Sequence, residues 1–218
     1  MKLSVQEVAK LICKSYDQGH ITKNDFVQEF NRLATRITNK KVLKRADNRS
    51  FGEYALNIFE DNRNERRLIE RLKTSLIRNR IYSNVLIEDN GVGNHGIPFL
   101  DETQVTDDAD FILTCFPVNP STPHLTNGPF PVMMRVPVEV KRAPNRNKLT
   151  FKYRALSEYE RTNTYLVLFV GTEYTVIAPQ KLMYFLNLPV KNYREIGHKP
   201  GVQAGADQIG RWLKFSTL

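Results

Sequence analysis

Eight residues near the middle of the chain constrain its fold most: Arg135-Val136-Pro137-Val138-Glu139-Val140-Lys141-Arg142. Three β-branched valines alternate with other residues, the period of a half-buried strand. Val136, Val138 and Val140 then face one way, and Arg135, Pro137, Glu139 and Lys141 face the other. A carboxylate and an ammonium share one strand face, about 7 Å apart along it. By itself a Glu-x-Lys triplet on a strand reads as a solvated same-face pair. The acidic segment before it gives it more weight.

That segment is visible in the charge distribution. The 218 residues carry a net charge of +9, which points to a polyanionic partner. Residues 31–80 hold 14 Lys/Arg against 6 Asp/Glu. Residues 81–134 hold no Lys or Arg and seven acids, Glu88, Asp89, Asp101, Glu102, Asp107, Asp108 and Asp110. Residues 135–161 return to 8 basic and 3 acidic. An acidic island between basic stretches fits a divalent-cation site inside a phosphate-binding surface, and fits a self-solvating acidic loop about equally well.

The length suits one domain, or one domain with an appendage. The longest apolar run, near Tyr165–Val170, is too short to span a membrane, and the N-terminus turns polar at once, so a cytoplasmic protein is expected. Cys13 and Cys115 sit among apolar residues and read as buried free thiols that build no zinc pattern.

Along the chain, Ser4 to Glu7 matches a capping box, followed by Val5, Val8, Ala9 and Ile12 at helical spacing. A second helix opens between Thr22 and Asp25, with Phe26, Phe30, Leu33 and Ile37 as its stripe. Residues 1–45 are therefore expected as a helical hairpin that serves packing, a dimer contact or DNA binding, and 46–218 as the main body. Lys40, Lys41, Lys44 and Arg45 form a basic linker. Ser50 or Asn48 caps a further helix, expected to break at Asp61-Asn62-Arg63-Asn64 and to resume over residues 65–80. The polar face of that segment, with Arg63, Arg66, Arg67, Arg71, Lys73, Arg78 and Arg80, reads as a phosphate track or as a plain solvated face.

Tyr82–Glu88 and Ala109–Phe116 read as strands. Between them lies a loop with three glycines and His95 that lacks the lysine of a phosphate loop. Residues 117–131 hold five prolines and form a long loop. After the strand at 135–142 come a basic, aromatic stretch at 148–153, a helix at 155–161, strands at 164–170 and 173–178, and a short helix opened by Pro179. The tail from Lys191 carries four glycines and little apolar content before Trp212 and Phe215.

This order of helix, strand, Asp-headed strand, Glu-x-Lys strand, helix and strand resembles the PD-(D/E)XK nuclease superfamily over roughly residues 50–185. The matching residues are Asp110, heading Phe111-Ile112-Leu113-Thr114, and Glu139-Val140-Lys141. Ala109 stands where a proline is usual, and the 29 residues from Asp110 to Glu139 include the Pro-rich loop. The resemblance implies an α/β fold: a restriction-endonuclease-like central mixed β-sheet flanked by helices, here with an N-terminal helical segment. It also implies a Mg²⁺-dependent endonuclease acting on double-stranded DNA, most like a Type II restriction endonuclease working as a homodimer. A Holliday-junction resolvase or repair nuclease of the same fold is the nearest alternative. A non-catalytic DNA-binding protein is the alternative from another class.

The chemistry can be stated from the residues. Phosphodiester hydrolysis brings water to a phosphorus ringed by negative oxygens, and Mg²⁺, a hard cation, neutralises that charge. Asp110 and Glu139 would supply two oxygens and the Val140 carbonyl a third. Asp107 or Asp108 replaces Asp110 if the strand begins earlier, but Asp110 abuts the apolar run. Lys141 would orient water and stabilise the pentavalent phosphate. The resemblance also implies a helix carboxylate, with Glu70 the first choice and Glu53 the second. Arg142, Arg146, Lys148, Lys152 and Arg154 are expected phosphate or base contacts, and Asn145, with Asn147, is suited to adenine.

Overall fold

The computed structural model of the protein describes residues 3–37, 49–90, 109–121, 128–143 and 145–215. The basic run at 40–45, the Asn48 cap, the loop containing His95, Asp101, Glu102, Asp107 and Asp108, and part of the Pro-rich loop lie outside the described residues. The chain forms two units, divided between Asn64 and Glu65.

In the first unit, α1 (Val5–Asp17) and α2 (Lys23–Ala34) each open on a complete capping box, Ser4 with Glu7 and Thr22 with Asp25. Each box satisfies two otherwise orphaned N–H groups. The helix that follows, α3 (Phe51–Arg78), is continuous for 28 residues. The break expected at Asp61–Asn64 does not occur. Asp and Asn cost only a fraction of a kcal/mol each inside a helix, less than the cost of nucleating a second one. The first half of α3 gives Phe51, Ala55 and Leu56 to a core with Ala9, Phe26, Phe30 and Leu33. The hairpin is thus a three-helix cluster, and its boundary falls within α3 rather than at residue 45. Gly52 permits this packing, since a Cβ there would sit 2.1 Å from the Val27 carbonyl oxygen.

The second unit is built on a six-stranded mixed sheet. Its strands are β1 (Asn84–Asp89), β2 (Phe111–Phe116), β3 (Arg135–Arg142), β5 (Tyr165–Val170), β6 (Glu173–Ile177) and β9 (Leu213–Lys214), in that spatial order. All neighbours are antiparallel except β3 and β5, which are parallel. A parallel pair needs a crossover, and α4 (Tyr153–Arg161) lies in it.

Strand alternation gives the sheet two apolar faces. Val136, Val138 and Val140 share one cluster with Phe111, Leu113, Val167 and Phe169, against Leu68, Ile69, Leu72 and Leu76 of α3. Leu166 and Leu168 point the other way, to Leu156 of α4 and to Leu182 and Phe185 of α5 (Pro179–Leu186). Pro137 is tolerated in a central strand because the β5 ladder begins only at Val138.

The glycine-spaced tail forms ordered structure. It supplies β7 (Lys191–Tyr193) and β8 (Lys199–Gly205), which join β4 (Lys148–Lys152) in a second, antiparallel sheet ordered β4-β8-β7. Gly201 allows β8 to approach β4, since a Cβ there would lie 2.5 Å from the Phe151 carbonyl oxygen. Among the described residues no helix is long and apolar enough to cross a membrane.

Candidate active site

The β2–β3 register brings the site together. Phe111 pairs with Val138, so one step further along each strand Asp110 faces Glu139. Asp110 Oδ2 accepts the Val140 N–H at 2.9 Å. In a strand the N–H and C=O of one residue point to the same side. The Val140 carbonyl is therefore aimed at the Asp110 side, past the end of β2.

Glu139 is 6% exposed although it is charged. Lys141 Nζ lies 2.6 Å from Glu139 Oε1, 3.9 Å from Asp110 Oδ2 and 3.8 Å from Glu65 Oε1. Tyr159 of α4 donates its hydroxyl to the same Glu139 Oε1 at 2.7 Å. Both donors fall on one oxygen.

Three carboxylates stand within 4 Å of the one ammonium of Lys141. Burial first, and then the Glu139 carboxylate, push the Asp110 pKa up to about 7, against the opposing pull of Lys141 and the Val140 N–H. Desolvation works against the Lys141 ammonium, but Glu139, Asp110 and Glu65 outweigh it and hold its pKa above the ordinary value. Burial and the Glu139 charge raise the Tyr159 phenol, which remains a neutral donor.

Asp110, Glu139 and Lys141 thus come together, with the Val140 carbonyl aimed beside them. Glu70 does not join them. Its carboxylate is half-exposed and pairs with Arg66 on the same helix at 2.9 Å, and Arg66 also bonds Asp89. The helix carboxylate at the site is Glu65, 19% exposed. The second choice, Glu53, instead closes a capping box by accepting the Ser50 N–H at 2.7 Å. Sequence spacing held the signal for Glu65: it stands three and four residues before Leu68 and Ile69, in phase with the buried stripe, whereas Glu70 is out of phase. Nothing in the sequence marked Tyr159 beyond its place on a helix.

The predicted nucleic-acid contacts separate into two groups. Arg142, Lys148 and Lys152 are exposed and line a cavity that also touches Glu139 and Lys141. Asn145 lines it too, but its side-chain oxygen caps a turn by accepting the Asn147 and Lys148 N–H groups. Arg146 pairs with Glu173 at 2.9 Å, and Arg154 is exposed on the first turn of α4. The helix cations are engaged more than their number suggested. Arg66 is doubly paired, Arg63 lies 3.5 Å from Asp17, and Arg71 stacks 4.5 Å over the Phe215 ring.

The donor set suits magnesium. Mg²⁺ is usually held by one or two carboxylates while keeping several waters. Asp110 and Glu139 offer hard carboxylate oxygens, and the Glu139 charge destabilises the Asp110 anion. Among the described residues no three His, Cys, Asp or Glu side chains form a ready-made metal cage. Cys13 and Cys115 are buried, and burial pushes both thiols up to about 12, which keeps them protonated. Set against known protein families, curated proteins and solved structures, the chain matches none.

Proposed function

We propose that this chain is a Mg²⁺-dependent endonuclease that hydrolyses phosphodiester bonds of double-stranded DNA, with a restriction-endonuclease-like core. One observation carries the reading: three carboxylates converge on Lys141, with Glu139 buried. Carboxylates gathered around one lysine at a strand edge, one of them buried, are costly to desolvate and suit a divalent cation. The element order α3, β1, Asp110-headed β2, Glu-Val-Lys β3, β4, α4, β5 supports the same reading.

Asp110, Glu139 and the Val140 carbonyl would hold the metal. Magnesium bound there supplies a Lewis acid for the phosphate and acidifies a water. Lys141, held protonated, has no lone pair for a metal or a proton. It donates to the attacking water and offsets charge on the phosphorane. Tyr159 and Lys141 hold Glu139 by Oε1, which fixes the carboxylate that would hold the metal. Among such enzymes the proposal is a Type II restriction endonuclease acting as a homodimer, whose own symmetry would cut both strands of a palindromic site.

Plasmid cleavage tests the proposal. Discrete fragments with Mg²⁺, and none with a chelator, support a site-specific nuclease. Cleavage confined to four-way junctions supports a resolvase. Binding without cleavage under every divalent metal overturns the enzyme reading.

A further inference from the structure

We propose that the cavity beside Glu139 and Lys141 receives one unpaired nucleotide of the substrate strand, next to the phosphate that is cut. This inference rests on the nuclease reading above. The cavity measures about 550 Å³ and lies as a half-open cleft between β3, β5, α4 and the second sheet. That size suits a small ligand of roughly 300–1,000 Å³. A base stacked in a duplex cannot enter it without leaving the stack.

The walls match the parts of a nucleotide. Leu149, Leu156, Leu166 and Leu168 make an apolar floor for a planar ring. Thr150 of β4 and Gln203 of β8 face each other across the second sheet, with the Gln203 amide donating to Thr150 Oγ1 at 3.1 Å. That bond uses one amide hydrogen of Gln203 and one lone pair of Thr150. The amide carbonyl and the hydroxyl hydrogen are an acceptor and a donor of the kind that reads a base edge. Lys141, Arg142, Lys148 and Lys152 outnumber the lining carboxylates, Glu139 and Glu195, which suits an anionic ligand. The second sheet gains a role on this account: it walls the cavity.

The nucleotide could come from a duplex by eversion or from a strand already single. Binding of the four deoxynucleoside 5′-monophosphates, with inorganic phosphate as control, is measured by calorimetry on the full chain. The variants are Gln203→Ala, which removes the polar edge without adding bulk, and Thr150→Trp, which fills the cavity; thermal melting checks that both fold. At least one monophosphate should bind the wild type at least about tenfold tighter than phosphate does, and Gln203→Ala should lose most of that gain. With Mg²⁺, a duplex carrying one unpaired nucleotide and a fully paired duplex distinguish the sources. Faster cutting of the first marks a pre-opened strand; equal cutting, slowed in both by Thr150→Trp, marks eversion. If no monophosphate binds better than phosphate, the cavity assignment is overturned, while plasmid cleavage can still uphold the nuclease. If nucleotides bind and depend on Gln203 but no DNA is cut, the nuclease reading fails and the nucleotide site stands.

Discussion

The Tyr159 hydroxyl and the Glu139 carboxylate form a 2.7 Å hydrogen bond, and it lands on the same oxygen that Lys141 approaches at 2.6 Å. A residue on the crossover helix therefore sets the rotation of a carboxylate on the central strand. Tyr159→Phe keeps the ring and removes only the donor. Cleavage should slow about tenfold to a hundredfold and Mg²⁺ binding should weaken, as for loss of a group supporting a metal ligand. Thermal stability should stay close to wild type. Metal titration followed by calorimetry checks this; unchanged metal affinity with unchanged rate would remove Tyr159 from the site.

Glu65, not Glu70, is the helix carboxylate that counts. Glu65→Gln should lower the cleavage rate at least about tenfold, because it stands within 3.8 Å of the Lys141 ammonium. Glu70→Gln removes an exposed pair with Arg66 and should change rate and stability little. Equal effects in a side-by-side assay would contradict the placement.

How far these residues could be read in advance differed with the physics of each element. The alternation at 135–142 identified β3, and with it Glu139 and Lys141, because side-chain period alone decides which residues share a face. Asp110 followed because an apolar run has a definite edge. The continuity of α3 was hidden by Asp61–Asn64, where local preference pointed to a break and packing of both flanking halves overrode it. Losing that continuity also lost Glu65, which lies just beyond the expected break. β8 was illegible because Gly201 serves close backbone approach and not strand preference, and β7 because three residues are too few to show alternation.

Metal binding should depend on pH through Asp110. Its folded pKa is raised from 3.8 to about 7, so the metal-free native state holds a proton that the unfolded chain releases. The Asp110 contribution to the stability of the metal-free protein should therefore fall as pH rises from about 4 to 7, by at most about 1.4 kcal/mol per pH unit, and then level off. Asp110→Asn should flatten that slope and melt higher than wild type at pH 8 without metal. Mg²⁺ affinity of the wild type should weaken by up to about tenfold per unit below pH 7. Melting curves and Mg²⁺ titrations across pH 5–8 provide the check; a pH-independent affinity would contradict the raised carboxyl.

DNA affinity should fall steeply with salt, with a slope of about 0.9 in log affinity against log salt for each phosphate neutralised. Replacing Lys148 and Lys152 together by Ala should reduce that slope by up to about 2. A flat dependence in a binding titration would make the net charge of +9 incidental.

The central claim is that Lys141 acts in a metal-dependent chemical step and not as one half of a structural ion pair. Single-turnover cleavage of plasmid DNA at saturating Mg²⁺ tests it most directly, comparing wild type with Lys141→Ala. With the metal site saturated, the variant should bind DNA nearly as well as wild type and cut at least about a hundredfold more slowly, the typical cost of one preorganised contact to the transition state. Equal single-turnover rates for the two proteins, or no metal-dependent cleavage by wild type on any DNA, would contradict it.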